Sequence, residues 1–219
     1  MIEEKQFKSI IQNCFKSVFR TETTNPGFYF LDLGQNYDSF MLRRVMVEMK
    51  NHLSDLTNAS FGKPLKYQWL GRFDQQVTTK YHLDNASNQS FLMLGYEPTE
   101  IESELYIADY VKFSFEIGIE PADYFKKFNP LFTDNEEILR PYITRVKNFS
   151  KESFKIVLIN NSNSQPECDT LGVLHMARML KTNSEKSRVL NSMMLEMVSE
   201  KTEERDIEVN FLNTDHVST

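Results

Sequence analysis

The change in hydrophobic texture at Lys66 constrains this 219-residue chain more than any other feature. Before it, apolar residues recur with helical period; after it, they come in short bulky or β-branched runs. Phe7, Ile10, Ile11, Cys14, Phe15, Val18 and Phe19 fall at spacings of three and four, which predicts an opening helix with one buried face. Asn25-Pro26-Gly27 ends it, and Phe28-Tyr29-Phe30-Leu31 reads as a strand. Asp38 or Ser39 caps a second helix with Phe40, Val45, Met46, Met49, Leu53 and Leu56 at its apolar positions. Further on, the runs 67–82, 90–96, 104–108, 142–146, 155–160 and 171–179 contain several strands. In 188–197, Leu190, Met193, Met194 and Met197 fit a helix, while Val189, Leu190 and 193–195 fit a buried strand. The number and spacing of these runs predict a mainly β protein, barrel or sandwich, with flanking helices. Helix-compatible spacing in 109–116 and 121–128 predicts a helical insert over about 109–130.

Composition narrows the classes. With 31 acidic against 25 basic residues and a net charge of -6, the chain lacks the global electrostatic footprint of a nucleic-acid binder. Cys14 and Cys168 are too few for a disulfide framework, which fits a reducing compartment, although one bridge is compatible with the count. The N-terminus has no signal-peptide pattern. No stretch approaches the ~20 apolar residues that cross a bilayer. A cytoplasmic protein without membrane contact is expected, built as one domain over 1–219. Its parts are a helical N-terminal buttress over 1–65, a barrel over 66–198 with the insert, and a polar tail over 199–219 that is solvated or frayed.

The search for chemistry is short because there are only four histidines, His52, His82, His175 and His216. His52 falls on the second helix beside Asn51, and His216 lies in the tail. His82 ends a β-like run two residues before Asp84, and in extended backbone residues i and i+2 point to the same side. An imidazole and a carboxylate there can meet one ion, although a buried His-Asp hydrogen bond would use the same pair. His175, 93 positions later in the apolar run 171–177, supplies a third ligand from a distant strand. Two histidines and one carboxylate leave metal positions open, which suits non-haem Fe(II) oxygenases. Zinc hydrolases share these ligand types, but their His-Glu-x-x-His helix signature is absent. A 2-oxoglutarate co-substrate would need a cation for its distal carboxylate. Arg188 follows His175 by 13 positions and can fork onto a carboxylate bidentately. Ser192 lies on the same strand face.

The ordered set His82-x-Asp84, the bulky strand Ile156-Val157-Leu158-Ile159-Asn160, then His175 and Arg188 resembles the core of the Fe(II)/2-oxoglutarate-dependent dioxygenase superfamily. The likeness covers roughly 67–197. More locally, Thr78-Thr79-Lys80-Tyr81-His82-Leu83-Asp84 followed by 90–98 is similar to a group of uncharacterised bacterial proteins of that superfamily. The resemblance implies a double-stranded β-helix, a jelly-roll or cupin-like barrel. It also implies His82, Asp84 and His175 as iron ligands, Arg188 as the 2-oxoglutarate anchor and Ser192 as a weaker companion. The chain departs from the family pattern in lacking Arg-x-Ser after the distal histidine. The activity implied is decarboxylation of 2-oxoglutarate to succinate coupled to hydroxylation of a substrate, with amino acids, lipids, small metabolites and protein side chains all open.

Alternation offers two more candidates. Arg72, Asp74, Gln76, Thr78 and Lys80 share parity with His82. Arg72 and Gln76 are therefore expected to face the barrel interior and contact substrate or co-substrate, unless the strand face is exposed or a bulge reverses the parity. Rival readings are a non-enzymatic metal-binding barrel, or a cupin-type enzyme in which His52 or Glu97 joins the metal.

Overall fold

The computed structural model describes residues 2–127, 135–200 and 202–218. Its elements follow the two textures of the sequence. Helix α1 (Glu4–Val18) turns its apolar stripe inward, burying Ile11, Cys14 and Val18. After strand β1 (Phe28–Gly34), helix α2 (Ser39–Phe61) starts where the Asp38 carboxylate accepts the Met41 N–H, and it stops at Gly62, whose φ of 67° is left-handed. Strands β2 (Leu65–Asp74), β3 (Ser90–Tyr96) and β4 (Glu102–Ala108) precede short helices α3 (Tyr110–Glu116), α4 (Tyr124–Lys127) and α5 (Asn135–Leu139). Strands β5 (Ile143–Arg145), β6 (Phe154–Asn160), β7 (Leu174–Lys181) and β8 (Val189–Met197) follow, and helix α6 (Arg205–Asn213) closes the order.

The strands form two antiparallel sheets, one ordered β1-β6-β3-β8-β2 and the other β5-β4-β7. They face each other across a core of Leu92, Leu94, Val157, Ile159, Leu190 and Met194 from the larger sheet and Leu105, Ile107 and Val173 from the smaller side. The outer face of the larger sheet packs Phe91, Met93, Leu158, Met193 and Leu195 against α1 and α2. Covered on both faces, β3 and β6 are buried at every position, which explains why they read as continuous apolar runs. The short helices shield the smaller sheet through Tyr110, Val111 and Tyr124, which pack with Leu174 and Met176.

The mainly β architecture with flanking helices is therefore observed, and the ambiguous run 188–197 is strand β8. Several boundaries differ from expectation. The expected strand at 28–31 is β1, but it does not stay within an N-terminal buttress, because it pairs with β6 at the edge of the larger sheet. The run 67–82 is a strand only to Asp74. Strand β7 begins at Leu174 rather than at 171. The helical insert is seen through Lys127 and from Asn135, while its expected stretch 128–130 lies outside the described residues. The tail is not simply solvated: α6 buries Phe211, and Ser218 bridges Phe73 on the edge strand β2. No helix among the described residues is long and apolar enough to cross a membrane.

Candidate metal centre

Past β2, the chain leaves the larger sheet and runs beside β7. The Thr79 N–H donates to Ala177 O at 2.9 Å, and the Ala177 N–H donates back to the Thr79 hydroxyl at 3.0 Å. His82 and His175 exchange a pair of backbone hydrogen bonds of 3.1 Å as an isolated antiparallel bridge. This pairing brings together two histidines far apart in sequence, with ring centroids 4.3 Å apart. Asn161, just past the end of β6, fixes the third group. Its Oδ1 accepts the Asp84 N–H at 2.8 Å, and its Nδ2 donates to Asp84 O at 3.2 Å and to the Ser90 hydroxyl at 2.9 Å.

The result is a cluster in which one donor atom each from His82, Asp84 and His175 lies within 4.8 Å of the other two. Asp84 Oδ1 stands 3.5 Å from His82 Nε2, and Oδ2 stands 3.8 Å from His175 Nε2. These separations exceed good hydrogen bonds yet lie within the reach of a single ion. His82 Nδ1 is 2.7 Å from Lys80 O; as the donor there, it leaves the Nε2 lone pair facing Asp84. His175 Nδ1 is buried and has no hydrogen-bond partner. Burial is the largest influence on His175 and, with the neighbouring His82, pulls its pKa down to about 4, against the opposing pull of Asp84. Around His82 burial also opposes charge, but the Asp84 carboxylate and the Lys80 carbonyl together outweigh it and raise the pKa. Asp84 is held below its ordinary value because the two imidazoles outweigh its own burial. At neutral pH the cluster thus presents an ionised carboxylate and a neutral His175, the forms that bind metal. The donor set fits a divalent first-row transition ion.

The three groups open onto a cavity of about 280 Å³ between the sheets, walled by Leu92, Leu94, Leu105 and Leu190 with Trp69 and Phe73 beside them. Ser192 also lines it, and its buried hydroxyl has no partner. Of the residues expected at the site, His82, Asp84, His175 and Ser192 come together here.

Arg72 does not. In the pairing of β2 with β8, Trp69, Gly71 and Phe73 oppose Met194, Ser192 and Leu190 on the inner face, and because the strand ends at Asp74, parity counted back from His82 does not carry into it. Arg72 consequently turns to the helical side, where it donates to Asn191 Oδ1 at 3.0 Å, Glu97 Oε1 at 3.0 Å and Thr214 O at 3.1 Å. Gln76 lies beyond the strand and holds the β7–β8 turn, donating to Lys186 O at 2.6 Å and accepting from the Asn183 N–H at 3.1 Å. Neither lines the triad cavity.

Arg188 is buried but lines a neighbouring cavity, and the Tyr96 side chain borders both cavities. Its Nε donates to the Ser103 hydroxyl at 3.1 Å and its Nη1 to Gln75 O at 3.0 Å, with the guanidinium 5.0 Å from the Tyr96 ring centroid. The rival ligands stay away as well. His52, on α2, packs edge-on to Phe7 of α1, and Glu97 is engaged by Arg72, Ser39 and Asn191. Sequence reading missed Asn161, Tyr96, Trp69 and Phe73. The one available signal was the polar Asn160-Asn161 pair directly after an apolar strand.

No family model matches the chain, and no curated protein matches it.

Proposed function

We propose that this protein is an Fe(II)- and 2-oxoglutarate-dependent dioxygenase that hydroxylates a substrate held between Trp69 and Phe73 and the metal centre. The observation that carries the reading is the convergence of the His82, Asp84 and His175 side chains on a largely apolar cavity. The strand order supports it. From β2 onward the chain crosses between the sheets, through the segment at 79–82 paired with β7, back to β3, to β4 and β5, to β6, to β7 and finally to β8, an alternation expected of a double-stranded β-helix.

In this reading His82 Nε2, His175 and one Asp84 oxygen hold the ion, and the two imidazoles and one carboxylate leave its remaining positions to co-substrate and dioxygen. Bound there, Fe(II) would let dioxygen act as the oxidant, one oxygen atom ending in the succinate formed as 2-oxoglutarate loses carbon dioxide and the other in the new hydroxyl of the substrate. The chain's own residues prepare that chemistry. Asn161 fixes the Asp84 backbone, Lys80 O fixes the His82 ring, and the leucine walls exclude water from the reacting centre. The unpartnered Ser192 hydroxyl offers a hydrogen bond to a co-substrate carboxylate. The Arg188 anchor is weaker than expected, since Tyr96 stands between it and the triad cavity. That separation favours a second reading, a metal-binding barrel of cupin type that does not use 2-oxoglutarate.

Anaerobic titration of the protein with Fe(II) and then 2-oxoglutarate tests the choice. The dioxygenase predicts a weak visible charge-transfer band that His175→Ala abolishes, and succinate formation once air and ascorbate are admitted. Metal binding without that band or succinate supports the second reading, and absence of metal binding overturns both.

A further inference from the structure

Strand β2, ten residues long and without proline, stands last in the larger sheet. An edge of that kind offers a row of unpaired N–H and C=O groups to any extended chain. One point on it is taken by this chain's own C-terminal segment. The Asp74 N–H donates to Ser218 O at 2.8 Å and the Ser218 N–H to Arg72 O at 2.9 Å, a parallel bridge opposite Phe73. Asp215, His216 and Ser218 are exposed, so the bridge rests on backbone hydrogen bonds more than on burial. The two-residue repeat turns the Leu70 N–H and C=O to the same edge, where no backbone group of the described residues meets them. Beside Leu70 a cavity of about 400 Å³ separates this edge from Ile207 and Phe211 of α6.

The two faces of the edge lead to different places. Leu70 borders the α6 cavity, whereas Trp69 and Phe73 border the triad cavity. Between those two aromatics Gly71 puts no side chain of its own in the way; the Phe73 ring lies over it, its Cζ 2.8 Å from where a Cβ would stand. Trp69 is 37% exposed and Val77 67%, which leaves apolar surface along the same stretch of chain. A strand laid along β2 would alternate its side chains between the two faces, one set over the α6 cavity and the other at the mouth of the triad cavity.

We propose that the outer edge of β2 docks an extended polypeptide by strand addition, residues 215–218 occupying part of the site until it arrives, and that the substrate is therefore a side chain of that polypeptide. Backbone hydrogen bonds give such a mode its affinity and pockets for alternate side chains its selectivity, and both are present here. The bridge at Ser218 shows that this edge takes an extended strand, which a small metabolite would not need. That the docked side chain is hydroxylated rests on the dioxygenase reading; the docking does not.

The test uses metal-free protein, so its failure is read apart from that of the dioxygenase reading, which the iron titration decides. The probe is a synthetic peptide of residues 212–219 carrying Ser218→Leu, which sets an apolar side chain opposite Phe73. Trp69 is the only tryptophan, and its emission reports docking directly. In the full-length protein Ser218→Pro removes the N–H that Arg72 O accepts and so bares the edge; a protein ending at Thr214 bares it without proline. We expect a saturable one-to-one change in Trp69 emission with both. Binding to the wild type should be weaker, because its own tethered segment competes, and the same peptide N-methylated at its leucine should bind at least about tenfold more weakly. Absence of saturation in both edge-bared proteins overturns the proposal, as does undiminished binding of the N-methylated peptide. Dimerisation of the edge-bared proteins in place of peptide binding would make a second copy the occupant and overturn the polypeptide partner. If both edge-bared proteins melt well below the wild type, residues 215–218 are an integral strand and the proposal falls.

Discussion

Asn161 clamps the backbone of Asp84 in the candidate metal centre from both sides and ties it to Ser90. Because such outer contacts set ligand orientation, Asn161→Ala should weaken Fe(II) affinity by about 10–100-fold while leaving the fold intact; metal titration followed by a melt would check both. Lys155 yields a second prediction at this scale. Buried on β6 at the wall of the cavity that Arg188 lines, 5.7 Å from the Tyr96 ring centroid, it donates to Ser153 O at 2.9 Å and among the described residues forms no salt bridge. Lys155→Met should gain stability by removing that uncompensated charge. With its folded pKa lowered to about 8 and its unfolded value near 10.4, the unfolded chain binds more protons between those values. Stability contributed by this residue therefore rises with pH across that window. The advantage of Lys155→Met over the wild type should shrink as pH goes from about 8 toward 10, by at most about 1.4 kcal/mol per unit. Denaturant unfolding of the two proteins across that range would show it. The three residues that could hold a metal ion were legible because histidine is scarce and His82-x-Asp84 was readable as a ligand spacing. Lys155 also stood in plain sight, a charge inside an apolar strand, but a strand sequence does not say whether such a residue faces a cavity, a partner or solvent.

At the scale of elements, one irregularity decides what the triad cavity contains. Strand β2 ends at Asp74, so the alternation counted back from His82 to Arg72 runs through irregular chain, and the pairing with β8 instead puts Arg72 toward the helices and Trp69 and Phe73 at the cavity. Period-two alternation holds within a strand and fails once the chain leaves the sheet, and nothing in Asp74-Gln75-Gln76 marks where β2 ends. Close approach of elements is similarly invisible until they pack. A Cβ at Gly172 would collide with the Ser162 carbonyl, whereas one at Gly95 would meet the flexible end of Met46. Gly172→Ala should thus cost about 1–3 kcal/mol or more, and Gly95→Ala less, because a thioether side chain can move where backbone cannot. Urea melts of the two variants would rank them.

For the whole molecule, the C-terminal segment is a clasp. Glu204 pairs with buried Lys50 and accepts the Tyr67 N–H, while Arg43 and Arg72 donate to Leu212 O and Thr214 O. Glu204→Ala leaves the Lys50 ammonium with the more distant Glu208 at 3.7 Å and the Tyr67 ring, and should lower stability by about 3–5 kcal/mol, read as a fall in unfolding free energy with the β content of the folded state unchanged. The polar composition of this tail suggested solvation because its charges outnumber its apolar residues. Its partners, Lys50 and Arg43, sit on α2, more than 150 residues earlier, and composition carries no record of them. The sequence by itself determined where helical texture gives way to strand texture and which few residues have the chemistry to bind a metal, since periodicity and residue type are local properties. Only the tertiary structure decided that His175 pairs with His82, that Arg72 leaves the interior, and that Arg188 meets Lys155 across Tyr96. Each of these depends on strand pairing and register between distant segments, which are fixed by packing of the whole chain.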